Sequence, residues 1–466
     1  MSTILFPVIT FPYASRILGP EGIGKVQFVT NFAQYFILLA ALGIPVYGIR
    51  EVAKLKNSPK ELNGFFTEMI SLNFITSVLF FLIYTVLVYS IPSLAHDKDF
   101  YTVAVLMVLL GFCNIDWFFS GLERFKFIAG RSLIVKLLAL IFLFLFVKEK
   151  DDDIYFLWIT VGITVLNNLW NIWSARHYID FKQIDPGSVR KHFKPLLYIF
   201  STVAAISVYA YLDTVILGFL KGYEDVGYYT AASKINKITI PVLTSLGTVL
   251  IPQIAQAFKN NDGQEVGRLA KYSFDFVIFL GLPMICGLIA LAPELIIMFS
   301  GQDFAPAVLP MQIFAPVVLI IGLSNVWSIQ ILTPAGKDKQ VTISVAFGVV
   351  CSIILNFSLI PHFAYAGAAV ANVLSEFMVM GFLAYFASFV VKPSFDYKVI
   401  SQTFFASIIF IPITYVIRNY TGFNHLMICI LGVLSCGLIY TLLQVLVFKN
   451  ALLLHQLTII RTKYKI

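Results

Sequence analysis

Long apolar segments alternate with short polar ones along the chain. A membrane-spanning helix needs about 20 mainly apolar residues, and fourteen segments approach or exceed that length. They lie near residues 2–16, 26–48, 69–91, 100–121, 127–147, 154–175, 195–220, 226–258, 272–299, 304–332, 341–361, 365–390, 399–418 and 424–448. The first segment is the shortest and contains Pro7 and Pro12. The pattern predicts an all-α polytopic membrane protein with about fourteen transmembrane helices.

Composition supports the same class. The 466 residues are 59% apolar and only 12% charged, whereas a soluble domain is about 45–50% apolar and about 25% charged. The basic excess of +8 is scattered in short loops and forms no continuous patch, so it does not indicate nucleic-acid binding. All five cysteines lie in apolar segments, as expected of small buried side chains.

The distribution of basic residues predicts the orientation. Alternate loops and the C-terminal tail hold 23 of the 33 Lys and Arg residues, with Arg131 counted among them. The other loops hold 7, with Arg418 counted among them, and three lie inside the apolar segments. Because cytoplasmic loops carry the excess of Lys and Arg, both termini are predicted to be cytoplasmic.

A polar connection divides the chain after six predicted spans. It runs from residue 176 to residue 194 and contains Asp185-Pro186-Gly187. We therefore predict an N-terminal six-helix lobe at residues 1–180, a cytoplasmic linker at 181–194 and a C-terminal six-helix lobe at 195–392. An extra helix pair with a basic tail follows at 393–466. Since six is even, the two lobes should have parallel orientation.

Ionisable residues inside the apolar segments are candidate functional residues, because each must face protein or water. Lys136 and Glu376 are predicted to lie near the middle of their spans, and Asp213 and Lys234 at similar depths on consecutive spans. Asp213 and Lys234 either form an ion pair that pins two helices or line a water-filled cavity for an anion. Lys237 follows Lys234 by three residues and shares its helix face. Because the single carboxylate of Asp213 cannot neutralise both lysines, one positive charge would remain.

Two other motifs have simpler interpretations. Gly19–Lys25 matches the first seven positions of a phosphate-binding P-loop, but Val26 replaces the Mg-binding hydroxyl and no strand precedes it. We interpret it as a tight turn between two helices.

The run Asp151–Asp153 is predicted to be a solvated turn rather than a metal site, since consecutive carboxylates cannot all face one ion. Asp116 lies beside Trp117 near a predicted membrane boundary, where it either snorkels or acts in transport. No catalytic motif and no metal site are predicted.

Six segments have a recognisable sequence in common with one known family. They are Pro7–Tyr13, Ser15–Gly24, Gly43–Lys54, Asp116–Glu123, Leu212–Gly218 and Val226–Lys234. Together they resemble bacterial polysaccharide flippases, the O-antigen and teichoic-type repeat-unit exporters of the MOP (MATE-like) superfamily. The resemblance covers most of the chain and is most specific in the first 60 residues, although relatives usually have a longer first helix with a basic start.

The resemblance implies a V-shaped transporter with a central cavity between two lobes. It would move a polyprenyl-diphosphate-linked oligosaccharide from the inner to the outer leaflet of the bacterial cytoplasmic (inner) membrane by alternating access, for surface polysaccharide assembly. The expected partners are this lipid, membrane lipids, and the polymerase and glycosyltransferases of the same pathway. No nucleic acid and no cofactor is expected, with coupling to a proton or sodium gradient left open.

A diphosphate requires fixed positive charge along its path. The candidate substrate-binding cations are Lys234, Lys237 and Lys136, with Arg16 at the outer rim and Arg50 at the inner rim. The candidates for ion coupling or for pinning helices are Asp213, Glu376 and Asp116.

Two alternatives from other classes remain. A multidrug or cation antiporter of the related multidrug-extrusion branch would need an acidic cavity, whereas the spans carry three Lys against Asp213 and Glu376 as the deep acids. A membrane scaffold or a repeat-unit polymerase is the other alternative, and a polymerase would need a large outer loop, which the pattern does not contain.

Overall fold

All regular structure in the described part of the chain is helical. The computed structural model describes residues 2–178, 186–392 and 395–450, and contains no strand in these ranges. This confirms the predicted all-α membrane class. The first part of the predicted linker and the whole basic tail from residue 451 lie outside the described residues.

Seventeen α-helices follow one another in the described ranges. They are α1 Ser2–Ala41, α2 Ile44–Leu55, α3 Pro59–Ser90, α4 Pro92–Ala95, α5 Lys98–Leu109, α6 Asp116–Gly121, α7 Phe125–Phe146, α8 Asp153–Ala175, α9 Pro186–Lys221, α10 Tyr223–Lys259, α11 Gly263–Ala290, α12 Ala292–Ser300, α13 Val308–Asn325, α14 Asp338–Ser388, α15 Tyr397–Ile408, α16 Phe410–Tyr420 and α17 His425–Leu442. Short 3₁₀ segments occupy Leu110–Cys113, Arg176–Tyr178 and Gln302–Ala307. Two π-helical turns follow α13 and α17, at Val326–Leu332 and Leu443–Val447.

Each predicted span falls on a helix or on consecutive helices. In the described ranges, nine helical segments are long and apolar enough to cross a membrane, and a tenth is obtained if α1 and α2, bent by 43°, form one span. Two predicted spans lie on α14, which departs from helical geometry at Ala364 (φ 49°). The first span and most of the second lie on α1, which departs from helical geometry at Gly19 (φ 68°), and the second span continues into α2. The total of fourteen stays a prediction.

The chain divides into two compact units, residues 1–227 and 228–466. In the first unit, α1 packs against α3, α5, α8 and α9, and an apolar cluster fills the space beside α2 and α6. Trp117 and Phe118 of α6 lie there with Ile44 and Phe66. Gly48 allows α2 to approach α6 closely, because a Cβ atom at this position would lie 2.2 Å from the Trp117 ring. The lobe bounds given above, 1–180 and 195–392, stay a prediction.

In the second unit, α11 packs against α13 and α15, and α14 packs against α13. Its largest described cluster contains Phe274 and Trp327, whose ring centroids lie 4.3 Å apart. Trp327 belongs to the π-helical turn after α13, so this irregular turn contributes directly to the apolar packing.

Much of the apolar surface faces outward. Along α7, only Arg131, Val135, Ala139 and Leu143 are buried, and neighbours such as Leu137 are half exposed. A soluble protein rarely exposes contiguous apolar area of this extent, so these faces belong in hydrocarbon.

Candidate functional site

The three predicted cations of the first unit lie on different helices. Lys136 lies halfway along α7 and is partly buried. Arg16 on α1 and Arg50 on α2 are both exposed. Their role in substrate binding stays a prediction.

The two predicted cations of the second unit share one helix. Lys234 and Lys237 lie three residues apart on α10, where Lys234 is partly buried and Lys237 is exposed. Three residues place them on the same helix face, as the sequence predicts. Asn236 anchors this stretch, because its amide donates to the backbone oxygens of Ala232 (3.0 Å) and Met311 on α13 (3.3 Å).

The predicted acids differ in burial. Asp213 on α9 is 5% exposed, whereas Glu376 on α14 is partly buried. Asp213 belongs to the first unit and Lys234 to the second, and the predicted ion pair between them stays a prediction.

Asp116 belongs to a polar cluster of the first unit. The guanidinium of Arg131 donates to Asp116 Oδ1 across 2.7 Å, and Asn171 donates to the same oxygen across 3.0 Å. Arg131 Nε also donates to Asn167 (3.1 Å), while its Nη1 has no hydrogen-bond partner in the described ranges. The cluster joins α6, α7 and α8.

Arg131 lies inside α7, and not in a loop as expected from the sequence. Its side chain is only 2% exposed, and it lies in the second turn of α7. The signal was present, because the predicted span 127–147 already contained this residue. An arginine in such a segment is costly unless it is paired, and Asp116 is its partner.

Lys25, the lysine of the P-loop-like segment, also has carboxylate partners. Its Nζ lies 2.7 Å from Asp97 and 4.0 Å from Asp153, and 3.9 Å from the centroid of the Phe100 ring. Tyr223 donates to the other oxygen of Asp97 across 2.9 Å. These contacts connect α1, the turn before α5, α8 and the start of α10.

The glycines beside Lys25 let α1 and α10 approach closely. A Cβ atom at Gly24 would lie 1.7 Å from the backbone oxygen of Tyr223, and one at Gly227 would lie 2.0 Å from that of Pro20. The Gly-rich segment therefore serves helix packing here, and α1 is helical on both sides of Gly19.

Three further buried ionisable groups were not singled out from the sequence. Glu68 lies 3.3 Å from His192, which in turn is hydrogen-bonded to Tyr47 (2.6 Å). Asp275 on α11 is 8% exposed, and its Oδ1 has no hydrogen-bond partner in the described part of the chain. Glu294 on α12 is the third of these buried groups. Since Asp275 and Glu294 lie within the predicted span 272–299, an ionisable residue in an apolar segment was again the available signal.

Glu294 and Arg418 form an ion pair in the second unit. The Arg418 Nε donates to Glu294 Oε1 (2.5 Å), and its Nη2 donates to Oε2 and to the Ala290 backbone oxygen (both 2.7 Å). Glu294 is 1% exposed, so this bidentate pair joins α12 to α16 at a buried position. Arg418 therefore belongs to a helix, and not to an outer loop as expected from the sequence.

The acidic run before α8 has a local role. Asp152 accepts hydrogen bonds from the backbone N–H groups of Lys148 and Glu149, both at 2.8 Å. In the described ranges, no group of three or more His, Cys, Asp or Glu side chains is arranged to hold a metal ion.

Comparison with protein families gives two matches. The family model described as "Polysaccharide biosynthesis protein" matches residues 1–258, which is more than half of the chain. The model described as "MatE" matches residues 199–358.

Individual proteins agree with these matches. The chain is 25% identical to the "Putative O-antigen transporter" of Escherichia coli K12 over 83% of its length and 93% of that protein. It resembles the structure of "Lipid II flippase MurJ, inward closed conformation", with a TM-score of 0.79 over 97% of this chain and 98% of that one, at 14% identity. An inward-facing multidrug resistance MATE transporter gives a TM-score of 0.64 over 84% of this chain and 94% of that one, at 13% identity. These structural likenesses concern the fold.

Proposed function

Because the chain belongs to the polysaccharide biosynthesis protein family, we propose that it is a flippase for polyprenyl-diphosphate-linked oligosaccharide repeat units. It would move them from the inner to the outer leaflet by alternating access. The observation that carries the proposal is the family match over residues 1–258, joined by the near full-length similarity to an O-antigen transporter relative. The chain is a multi-pass membrane transporter and not an enzyme.

Moving a diphosphate-linked oligosaccharide across the membrane imposes physical requirements that favour specific residues as its binding site. An oligosaccharide diphosphate needs a hydrated path through about 30 Å of hydrocarbon, and fixed cations along it to bind the phosphates. We propose that Lys234 and Lys237 on α10 and Lys136 on α7 bind the diphosphate, with Arg16 and Arg50 at the two rims. Neighbouring Lys234 and Lys237 on one helix face form the strongest candidate, since two ammonium groups match two phosphates.

For energy coupling, we propose that Asp213 or Glu376 carries a proton or a sodium ion. Asp213 has the stronger claim, because it is 5% exposed on α9, whereas Glu376 on α14 is partly buried. Asp116 receives the other proposed role, that of joining helices, because Arg131 and Asn171 both donate to it.

The proposed location is the bacterial cytoplasmic membrane, with both termini in the cytoplasm. The lipid-linked cargo is made by glycosyltransferases on the cytoplasmic side and consumed by a polymerase on the outer side, so these enzymes are the proposed pathway partners.

Depletion of the protein from its cells tests the proposal. Mass spectrometry of extracted lipids should then show build-up of a complete polyprenyl-diphosphate-linked repeat unit, together with loss of surface polymer. Unchanged lipid-linked oligosaccharide with increased sensitivity to cationic drugs would instead support the multidrug antiporter and contradict the flippase.

A further inference from the structure

An apolar groove runs between α7 and α8 in the first unit. It consists of two adjoining cavities of about 440 Å³ and about 370 Å³. Both are lined by Val135, Leu138 and Leu166, so they form one continuous channel along the helix pair. One end of the groove lies at Tyr155 and the other at Trp173.

The groove is open partly because small residues line it, and larger side chains at the same positions would fill the space. Gly162 of α8 and Ala139 of α7 both line the larger cavity, and a Cβ atom at Gly162 would meet nothing within 4 Å. Phe142 and Trp158 line the same cavity and are 43% and 48% exposed. The groove is therefore apolar and accessible from the side of the helix pair that faces hydrocarbon.

The two ends of the groove differ in charge. At one end, the Arg176 guanidinium lies 5.0 Å from the centroid of the Trp173 ring. Arg124, hydrogen-bonded to Tyr178 (3.3 Å), and Lys126 are also exposed near this end of the helix pair. At the other end, residues 148–153 carry two Lys against one Glu and three Asp. An anionic headgroup is therefore favoured at the Arg176 end.

The length of the groove selects among lipid chains. From Tyr155 to Trp173 along α8 it extends about 27 Å at a rise of 1.5 Å per residue, close to the roughly 30 Å of a whole hydrocarbon core. The acyl chain of a phospholipid belongs to one leaflet and would fill half of it. A polyprenyl chain is long enough for both halves.

We propose that the α7–α8 groove binds the polyprenyl chain of an anionic isoprenoid lipid, with the phosphate beside Arg176. This deepens the proposed function and rests on it, since the proposed cargo carries such a chain. Holding the chain against one side of the protein would let the headgroup cross while the tail remains in the membrane.

Native mass spectrometry of the purified full-length chain with long-chain polyprenyl monophosphate tests this site. Gly162→Phe should weaken binding about tenfold, because the ring occupies space that several isoprene units need. Gly130→Phe is the matched control, since Gly130 also lies in this helix pair, has nothing within 4 Å of its Cβ position and lies outside the groove lining. Arg176→Gln should weaken binding of the phosphate but not of the uncharged polyprenol.

A photoactivatable polyprenyl phosphate on the unaltered chain provides an independent readout if Gly162→Phe folds poorly. Labelled peptides should map to residues 125–175. Labelling that avoids these residues, equal binding by Gly162→Phe and Gly130→Phe, or equal competition from a diacyl phospholipid would each overturn the proposal. So would a dimer in the mass spectrum that Gly162→Phe dissociates, because the groove would then be an interface between two copies.

The two proposals fail in different ways. If depletion causes the lipid-linked repeat unit to accumulate but Gly162→Phe binds normally, the groove assignment alone is wrong. If Gly162-dependent binding is found but no such lipid accumulates, the groove assignment holds and the proposed cargo is wrong.

Discussion

Arg131 and Asp116 form an ion pair 2.7 Å long between α7 and α6, and the two partners differ greatly in burial. The arginine is 2% exposed and the aspartate 46% exposed. Asn171 of α8 donates to the same carboxylate oxygen. One carboxylate thus neutralises a buried guanidinium and connects three helices, which explains how α7 tolerates an arginine inside an apolar segment.

Replacing Asp116 with Ala should destabilise the protein by about 2 kcal/mol, because a buried charge loses its partner. Thermal unfolding of the purified protein in detergent measures this effect. The double variant Asp116→Ala/Arg131→Met should be less destabilised than the sum of the single variants, since removing both partners leaves no buried charge. Additive losses would show that the two side chains are not coupled.

Gly24→Ala should disrupt the packing of α1 against α10, since its Cβ would lie 1.7 Å from the Tyr223 backbone oxygen. We expect lower yield of folded protein and a lower unfolding temperature in size-exclusion and thermal assays. Gly267→Ala is the control, because its Cβ would meet nothing within 4 Å and alanine favours an α-helix by roughly 0.5–1 kcal/mol. Equal behaviour of the two variants would contradict the close helix approach.

Arg418→Met should cost about 3 kcal/mol of stability, because Glu294 would remain buried without its cation. Arg268→Met serves as the comparison, since Arg268 forms an exposed pair with Glu265 three residues away and such pairs contribute little. Its unfolding temperature should stay nearly unchanged. A loss in Arg268→Met as large as that in Arg418→Met would refute the difference in burial as the cause.

The proposed cationic site predicts that the double variant Lys234→Gln/Lys237→Gln loses most export of the lipid-linked repeat unit. Surface polymer in complemented depletion strains is the readout, with protein level measured in parallel. Lys259→Gln, at the end of the same helix and exposed, should export normally. Full export by the double variant would remove these two residues from the site.

Asp213→Asn should abolish the dependence of export on the membrane gradient without lowering the amount of folded protein. Asparagine keeps the size of the side chain and removes the group that binds a cation. The check is the export rate in cells before and after a protonophore or a sodium ionophore is added. An Asp213→Asn protein that still responds fully to the gradient would exclude this residue from coupling.

The hydrophobic pattern was sufficient to predict the helical membrane class and the position of the helices. Length and apolarity are local properties, so each predicted span could be found without knowing its neighbours. The hydrophobic pattern does not reveal where one helix ends and the next begins within a span. For example, α1 ends at Ala41 and α2 begins at Ile44, both inside the predicted span 26–48. Residues at such a bend are as apolar as those in the helices on either side.

Pairing between distant residues was not predictable from the sequence. Glu294 and Arg418 are 124 residues apart, and Asp116 lies 55 residues from Asn171, so no local pattern identifies them as partners. The Asp116–Arg131 pair is nearer, at a separation of 15 residues, but counting Arg131 as a loop residue hides its need for a partner inside the helix. An ionisable residue inside an apolar segment signals that a polar partner is needed, but it does not identify which distant residue that partner is.

Reconstitution tests the flippase most directly. The purified chain would be placed in liposomes with lipid-linked oligosaccharide extracted from depleted cells, and exposure of the sugar on the outer face would be followed with an impermeant glycosidase. The unaltered protein should make the inner-leaflet pool accessible with time, and Lys234→Gln/Lys237→Gln should do so much more slowly. A pool that stays protected in the presence of folded, unaltered protein and a membrane gradient would contradict the assignment as a lipid-linked oligosaccharide flippase.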